Sequence, residues 1–160
     1  MIFAWRRPTP SVLRPLRAAQ AADCARIHAD GFAFPWAQSE LERLISSPNA
    51  VGTAALDPVS AGLRGFALSR LAADEAEILT IAIDASLRRT GVGRDLLHAH
   101  LSQSAAVGAK IIFLEVDASN AAALALYKRF QFVRVGERKG YYKRRDGESA
   151  TAVVMRRDLT

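Results

Sequence analysis

The spacing of apolar and polar positions changes several times along the chain, and each change marks an element. Residues 12–17 alternate except at Pro15, which predicts an edge strand, and residues 1–12, with Pro8 and Pro10, read as a loose arm ahead of the domain. Residues 19–30 are rich in alanine, with Ala22, Ala25, Ile27 and Ala29 available for a buried helical face and Gly31 as C-cap. Residues 39–45 predict a short helix with an acidic first turn, stopped by Ser46, Ser47, Pro48 and Asn49. Residues 51–56 and 63–69 read as a strand pair joined through Asp57, Pro58 and Gly62. Residues 77–83 form a further aliphatic strand. In 93–107 the period returns to helical, with Leu96, Leu97 and Leu101 on one face and Arg94, Asp95 and His98 near the other. The continuous apolar run of 110–116 predicts a buried strand. Asn120 then caps an alanine-rich helix ending at Arg129. Two strands close the chain, 132–135 with a continuation toward Tyr142, and 152–156, around a basic turn containing Asp146 and Gly147.

Strands alternating with helices in this order predict a mixed α/β sheet with helices covering its faces. The length of 160 residues suits one domain, assigned here to residues 13–160. Half the residues are hydrophobic and 24% are charged, as in an ordinary folded globule. The single cysteine, Cys24, excludes an internal disulfide and any multi-cysteine metal site, and the histidines lack metal-ligand spacing. With no apolar run of membrane-spanning length and no secretory leader, the chain is expected to be cytoplasmic, with no membrane partner. Its formal charge of +6 is unevenly placed. Residues 1–127 balance, whereas 128–160 carry ten basic against four acidic side chains. Such a patch suits a nucleotide, RNA or a ribosomal surface, or simply a solvated face.

Four places carry candidate chemistry. Arg88, Arg89, Thr90, Gly91, Val92, Gly93 and Arg94 lie between a strand and a helix. Glycines two apart let successive N–H groups point outward together, and the helix N-terminus and arginines add positive charge, a cradle for a pyrophosphate. The turn is neither a Walker loop nor a full dinucleotide fingerprint, and it also fits a plain helix start. Glu115 puts a carboxylate in the apolar 110–116 strand, so it must be paired, exposed at the strand end, or a general base. Tyr127, on the last helix, offers a phenol as proton donor or an ordinary amphipathic core ring. Phe34, Pro35 and Trp36 form an aromatic turn that serves either packing or a ligand wall.

Together these pieces resemble the GNAT N-acetyltransferases, and more narrowly the bacterial ribosomal-protein alanine N-acetyltransferases. The turn at 88–94 followed by Leu114-Glu115-Val116 carries the wider resemblance. Phe34-Pro35-Trp36 and the stretch 118–123 carry the narrower one, and 125–127, Tyr141 and Tyr142 belong to the resembling stretches. The resemblance implies a mostly antiparallel mixed sheet flanked by helices on both faces. It implies acetyl-CoA as co-substrate, without a metal, and direct attack of an amine on the thioester. It places the backbone of Ile81, Ala82 and Ile83 on the acetyl-pantetheine arm, residues 88–94 on the pyrophosphate and Asn120 on the cofactor. Glu115 becomes the general base and Tyr127 the acid, with Phe34, Trp36, Tyr141 and Tyr142 walling a peptide groove. The implied acceptor is a protein N-terminus, the N-terminal alanine of a ribosomal protein. Two departures stand out: Gln131 replaces the usual glycine after the tyrosine helix, and Asp117 replaces a frequent basic residue beside Glu115.

Two other readings remain open on the sequence. One is an acetyltransferase of a small amine or a lysine side chain, since the glycine turn reads only the cofactor. The other is a basic RNA- or ribosome-associated binding protein without turnover, motivated by the charged C-terminal region.

Overall fold

A computed structural model describes residues 8–143 and 147–160, with the backbone alone for 141–143. The first seven residues of the expected arm, the side chains of Tyr141 and Tyr142, and Asp146 of the expected turn lie outside the described residues. Among the described residues seven strands and four α-helices follow one another as β1 (Val12–Pro15), α1 (Ala21–Gly31), α2 (Gln38–Ile45), β2 (Ala50–Leu56), β3 (Leu63–Ala72), β4 (Glu75–Ile83), α3 (Val92–Ala106), β5 (Ile111–Asp117), α4 (Ala121–Arg129), β6 (Val133–Lys143) and β7 (Ser149–Asp158). They form one sheet in the order β1-β2-β3-β4-β5-β7-β6. Every pairing is antiparallel except β4 with β5, whose parallel arrangement requires the crossover that α3 provides.

Helices cover both faces. On one face α3 and α4 pack over Ile78, Ile112, Leu114, Val116, Val153 and Met155. On the other, α1 and α2 close over Phe66, Leu68 and Ala82 through Cys24, Ile27 and Leu41. Each fully buried Leu or Ile contributes about 1.5–3 kcal/mol, so these two clusters, not the short helices' own propensities, hold the layers together. Pro15 sits on the edge strand, where its missing N–H costs no ladder bond. The β2–β3 turn is tied by Asp57, which accepts from the N–H groups of Val59 and Ser60 and pairs with Arg64 at 2.8 Å.

Three local expectations are corrected. The buried face of α1 is Ala21, Cys24, Ile27 and His28, whereas Ala22 and Ala29 are exposed. Gly31 is the last helical residue, not a left-handed cap, and Phe32 follows it in extended conformation at φ −130°. The strand β5 is not buried evenly on both faces. Ile112, Leu114 and Val116 enter the core, while Ile111, Phe113, Glu115 and Asp117 are only half-buried. The opposite face of β5 lies beyond the cover of α1 and α2, and this leaves room for a site. Among the described residues no helix is long and apolar enough to cross a membrane.

Candidate active site

The two central strands separate partway along their length. The β4–β5 pairing runs from Glu75 with Ile111 to Ile78 with Leu114 and stops there. Beyond it β4 stays on β3 as far as Ile83, and β5 stays on β7 as far as Asp117. A bulge marks the parting: Ser69 of β3 faces Ile78 and Leu68 faces Thr80, leaving Leu79 unopposed. The extra residue bends and twists β4 locally. Residues 79–83 therefore lose the β5 ladder on one edge, and backbone groups on that edge demand polar partners from a ligand or water. Ile81, Ala82 and Ile83 lie on this free edge. Gly65 on β3 is required by close approach there, because a Cβ would come within 2.7 Å of Ile83 Cδ1 and 2.9 Å of the Ala82 carbonyl.

Directly after β4 the chain is anchored and then turned. The Asp84 carboxylate accepts from the Ser86 hydroxyl at 2.7 Å and the Ser86 N–H at 3.0 Å, and it meets Arg26 at 3.3 Å. The Ser86 hydrogen bonds, with Arg26, hold that carboxyl below the usual range. Arg89 at φ 62° and Gly91 at φ 94° both take left-handed backbone, and the Thr90 hydroxyl donates to the Leu87 carbonyl. α3 then begins at Val92, one residue earlier than expected, and no side chain caps it. Its first N–H groups stay available, with the helix dipole behind them. Such a left-handed glycine before an uncapped helix suits an anion such as a pyrophosphate. Within this turn Arg94 lies beside Asp95, Nε to Oδ1 3.6 Å. Arg88 departs from the expectation: its guanidinium sits 3.5 Å from the Asp30 carbonyl, at the C-terminal end of α1. A hollow of about 540 Å³ adjoins Arg94 and continues past His98 and Phe130.

Glu115 stands on β5 immediately after its last residue paired with β4. Its side chain is 18% exposed, and Oε1 lies 3.3 Å from Nε of Arg138 on β6. It is paired and accessible at once. A groove of about 320 Å³ runs beside it, lined by Phe113, Glu115, Arg138, Val154 and the β3–β4 ends near Arg70 and Glu77. Arg138 is the neighbour that sequence reasoning missed. It was counted only within the basic C-terminal region, because its approach to Glu115 depends on the β5-β7-β6 order.

Tyr127 stands on the other side of the sheet, half-buried against the core cluster that contains Leu114. Its ring meets Phe132 edge-on at 5.7 Å, and burial pushes its phenol up to about 12. Carboxylate and phenol thus stand on opposite faces of the sheet. Asn120 caps α4, its Oδ1 accepting from the Ala123 N–H at 3.1 Å.

The aromatic turn divides. Phe34 is 67% exposed, whereas Trp36 packs inward with the α1–α2 cluster. His28 lies between Phe32 and Trp36, ring centroids 4.0 and 5.0 Å away and nearly parallel, and accepts the Trp36 N–H on Nδ1 at 3.2 Å. Desolvation lowers this imidazole to about 4. The stack was not foreseen, because α1 ends at Gly31 and Trp36 reaches His28 only through the fold of the turn between α1 and α2. Of the basic residues in the final strands, Arg134 pairs with Glu137, Arg156 with Asp158 at 2.9 Å, and Arg157 donates to the Phe130 carbonyl at 2.9 Å. Lys128 and Arg129 complement the C-terminal end of α4. Much of that excess charge is thus locally used. Among the described residues no group of His, Cys, Asp or Glu is arranged to hold a metal.

A model of the Acetyltransferase (GNAT) family matches residues 3–132. The chain is 36% identical over 153 residues to the N-alpha-acetyltransferase RimI of Mycobacterium tuberculosis, covering 93% of each. It is 38% identical over 93 residues to the [ribosomal protein bS18]-alanine N-acetyltransferase of Escherichia coli strain K12, a match to 58% of this chain and 62% of that protein. The crystal structure of the ribosomal-protein-S18-alanine N-acetyltransferase from Escherichia coli superposes with a TM-score of 0.86 over 94% of both chains, at 27% identity.

Proposed function

The chain belongs to the acetyltransferase (GNAT) family, and from that premise we propose that it moves the acetyl group of acetyl-CoA to the α-amino group of a protein N-terminus, specifically an N-terminal alanine of a ribosomal protein. The observation that carries this reading is the parting of β4 and β5, with Glu115 on one face and Tyr127 on the other. An amine arriving along the Glu115 groove and a thioester lying on the Tyr127 side meet at the gap, without a covalent enzyme intermediate. The identities to the two N-terminal acetyltransferases support the choice of acceptor.

The co-substrate supplies an activated acetyl group, and this chain's residues fit its anionic and amide parts. Gly91, Val92, Gly93 and Arg94 hold the pyrophosphate, with Arg89 and Thr90 shaping the turn. The free edge at Ile81, Ala82 and Ile83 continues the sheet onto the pantetheine amides. Arg88, drawn to the end of α1, acts through position and not through contact. Glu115 takes a proton from the incoming amine, and Tyr127 donates a hydrogen bond to the departing sulfur. Phe34 and Trp36 wall the peptide.

The acceptor's own acidity limits how much help it needs. At pH 7 an α-amine of pKa about 8 is neutral in about one molecule in ten, whereas a lysine at about 10.4 is neutral in fewer than one in a thousand. One carboxylate paired with an arginine suffices for the first and serves the second poorly. The test is turnover with acetyl-CoA on three acceptors: a peptide with a free N-terminal alanine, the same peptide blocked at its N-terminus and carrying one lysine, and a polyamine. Acetylation of the free N-terminus alone is expected. Turnover on the polyamine or lysine alone would overturn the acceptor assignment while leaving the family intact.

A further inference from the structure

The hydroxyl of Thr80 is the one part of the β4 gap that the reading above leaves without a task. Thr80 is 4% exposed, and its Oγ1 is buried without a hydrogen-bond partner among the described residues. An orphaned buried hydroxyl is destabilising, and a methyl group of the same size would avoid that cost. Its retention in β4 calls for a partner that arrives from outside.

The register shows where the hydroxyl stands. Glu77 and Phe113 are a paired step of β4 and β5 on the face that carries Glu115. On β5 the next residue on that face is Glu115, two positions on. On β4 the bulge at Leu79 delays the alternation by one, so the next is Thr80, opposite Leu68 of the α1-side core. Thr80 and Glu115 are therefore the first side chains on either wall of the gap and on one face, Glu115 lining the groove and Thr80 buried opposite Leu68. Beyond Ile78 and Leu114 the strands are no longer paired, so the two walls stand farther apart than the roughly 4.8 Å of a ladder, which leaves room for a primary amine donating one hydrogen bond of about 2.9 Å to each wall.

We propose that Thr80 is a positioning residue for the acceptor, its Oγ1 accepting one N–H of the incoming α-amine while Glu115 accepts another. The two contacts fix the nitrogen at the mouth of the gap with its lone pair turned toward the thioester. This assignment rests on the N-terminal acetylation reading.

The experiment compares Thr80→Val and Thr80→Ser with the wild-type protein on the alanine-starting peptide, measuring acceptor KM and kcat, acetyl-CoA affinity by calorimetry, and thermal midpoint. Thr80→Val is expected to raise the acceptor KM about 10-fold or more, as loss of a hydrogen bond to an amine does. Acetyl-CoA affinity should be unchanged and the midpoint equal or higher, since the substitution removes an unsatisfied group. Thr80→Ser, which keeps the hydroxyl, should stay near wild type. Wild-type acceptor kinetics in Thr80→Val would overturn the assignment, as would a loss confined to kcat or a fall in midpoint that Thr80→Ser shares. Absence of turnover in the wild-type protein on this peptide would overturn the N-terminal reading together with it, and is seen before any variant is compared.

Discussion

Replacing Tyr127 by Phe removes one hydroxyl and little else. The ring stays edge-on to Phe132 and keeps its place against the core, so folding stability should change by less than about 1 kcal/mol. The chemistry should change more. The phenol stands at about 12, whereas a free thiol stands near 8.5. Handing the phenolic proton fully to the departing thiolate is therefore uphill by about 3.5 pKa units, or about 5 kcal/mol. Tyr127 serves the reaction better as a hydrogen-bond donor that keeps its proton. A hydrogen bond to a charged group is worth about 1.5–3 kcal/mol, which converts to a fall in kcat of about 10- to 150-fold in Tyr127→Phe. The assay is steady-state thiol release at saturating acetyl-CoA, on the alanine-starting peptide, from pH 6 to 10. The acceptor KM should be nearly unchanged, and the wild-type rate should show no decline from tyrosine ionisation up to pH 10. A fall in kcat of less than threefold would refute the role. So would a wild-type decline centred near pH 10 that vanishes in the variant.

Glu115→Gln should lower kcat about 10- to 100-fold on an N-terminal peptide, at or just below the range for loss of a general base, and the deficit should shrink as pH rises and more amine is already neutral; an equal rate at pH 7 would remove Glu115 from the chemistry. Gly91→Ala forces a side chain into φ 94° and should weaken acetyl-CoA binding about 5- to 30-fold by calorimetry, an unchanged affinity counting against the cradle. His28 and His100 are both held near 4 by desolvation, below the 6.5 of the unfolded chain. The unfolded chain then binds more protons between those values, so their stabilisation is complete above pH 6.5 and fades as pH falls through 4. At pH 5 each should have lost about 2 kcal/mol. Urea midpoints at pH 7 and pH 5 test this, and equal midpoints would show that neither imidazole is buried neutral.

The parts of this fold that were legible in the sequence are those fixed by short-range geometry. The Gly91 turn was readable because only glycine takes left-handed backbone without strain, and α3 because Leu96, Leu97 and Leu101 fall on one stripe. Asn120 was readable as a cap, and its Oδ1 indeed takes the Ala123 N–H. What stayed hidden depends on pairing between distant segments. The parting of β4 from β5 follows from a bulge at Leu79, and nothing in the local sequence separates that residue from its aliphatic neighbours. The buried face of α1 was misjudged because the alanines form a stripe of their own beside the Cys24, Ile27 and His28 face, and only docking selects between the two. His100 is a core residue bridging Thr53 and Ser69 at 2.8 and 2.6 Å, two hydroxyls brought by β2 and β3. Arg138 likewise finds Glu115 only through the β5-β7-β6 order.

The central claim is that the gap between Glu115 and Tyr127 receives an α-amine. It is tested most directly inside a single molecule, with a peptide that carries both a free N-terminal alanine and an internal lysine. After reaction with acetyl-CoA at pH 7, fragmentation mass spectrometry locates the acetyl group. The expected product carries it on the α-nitrogen alone, in line with the roughly hundredfold larger neutral fraction of that amine. Acetyl found on the lysine ε-nitrogen, with the N-terminus left free, would contradict the claim.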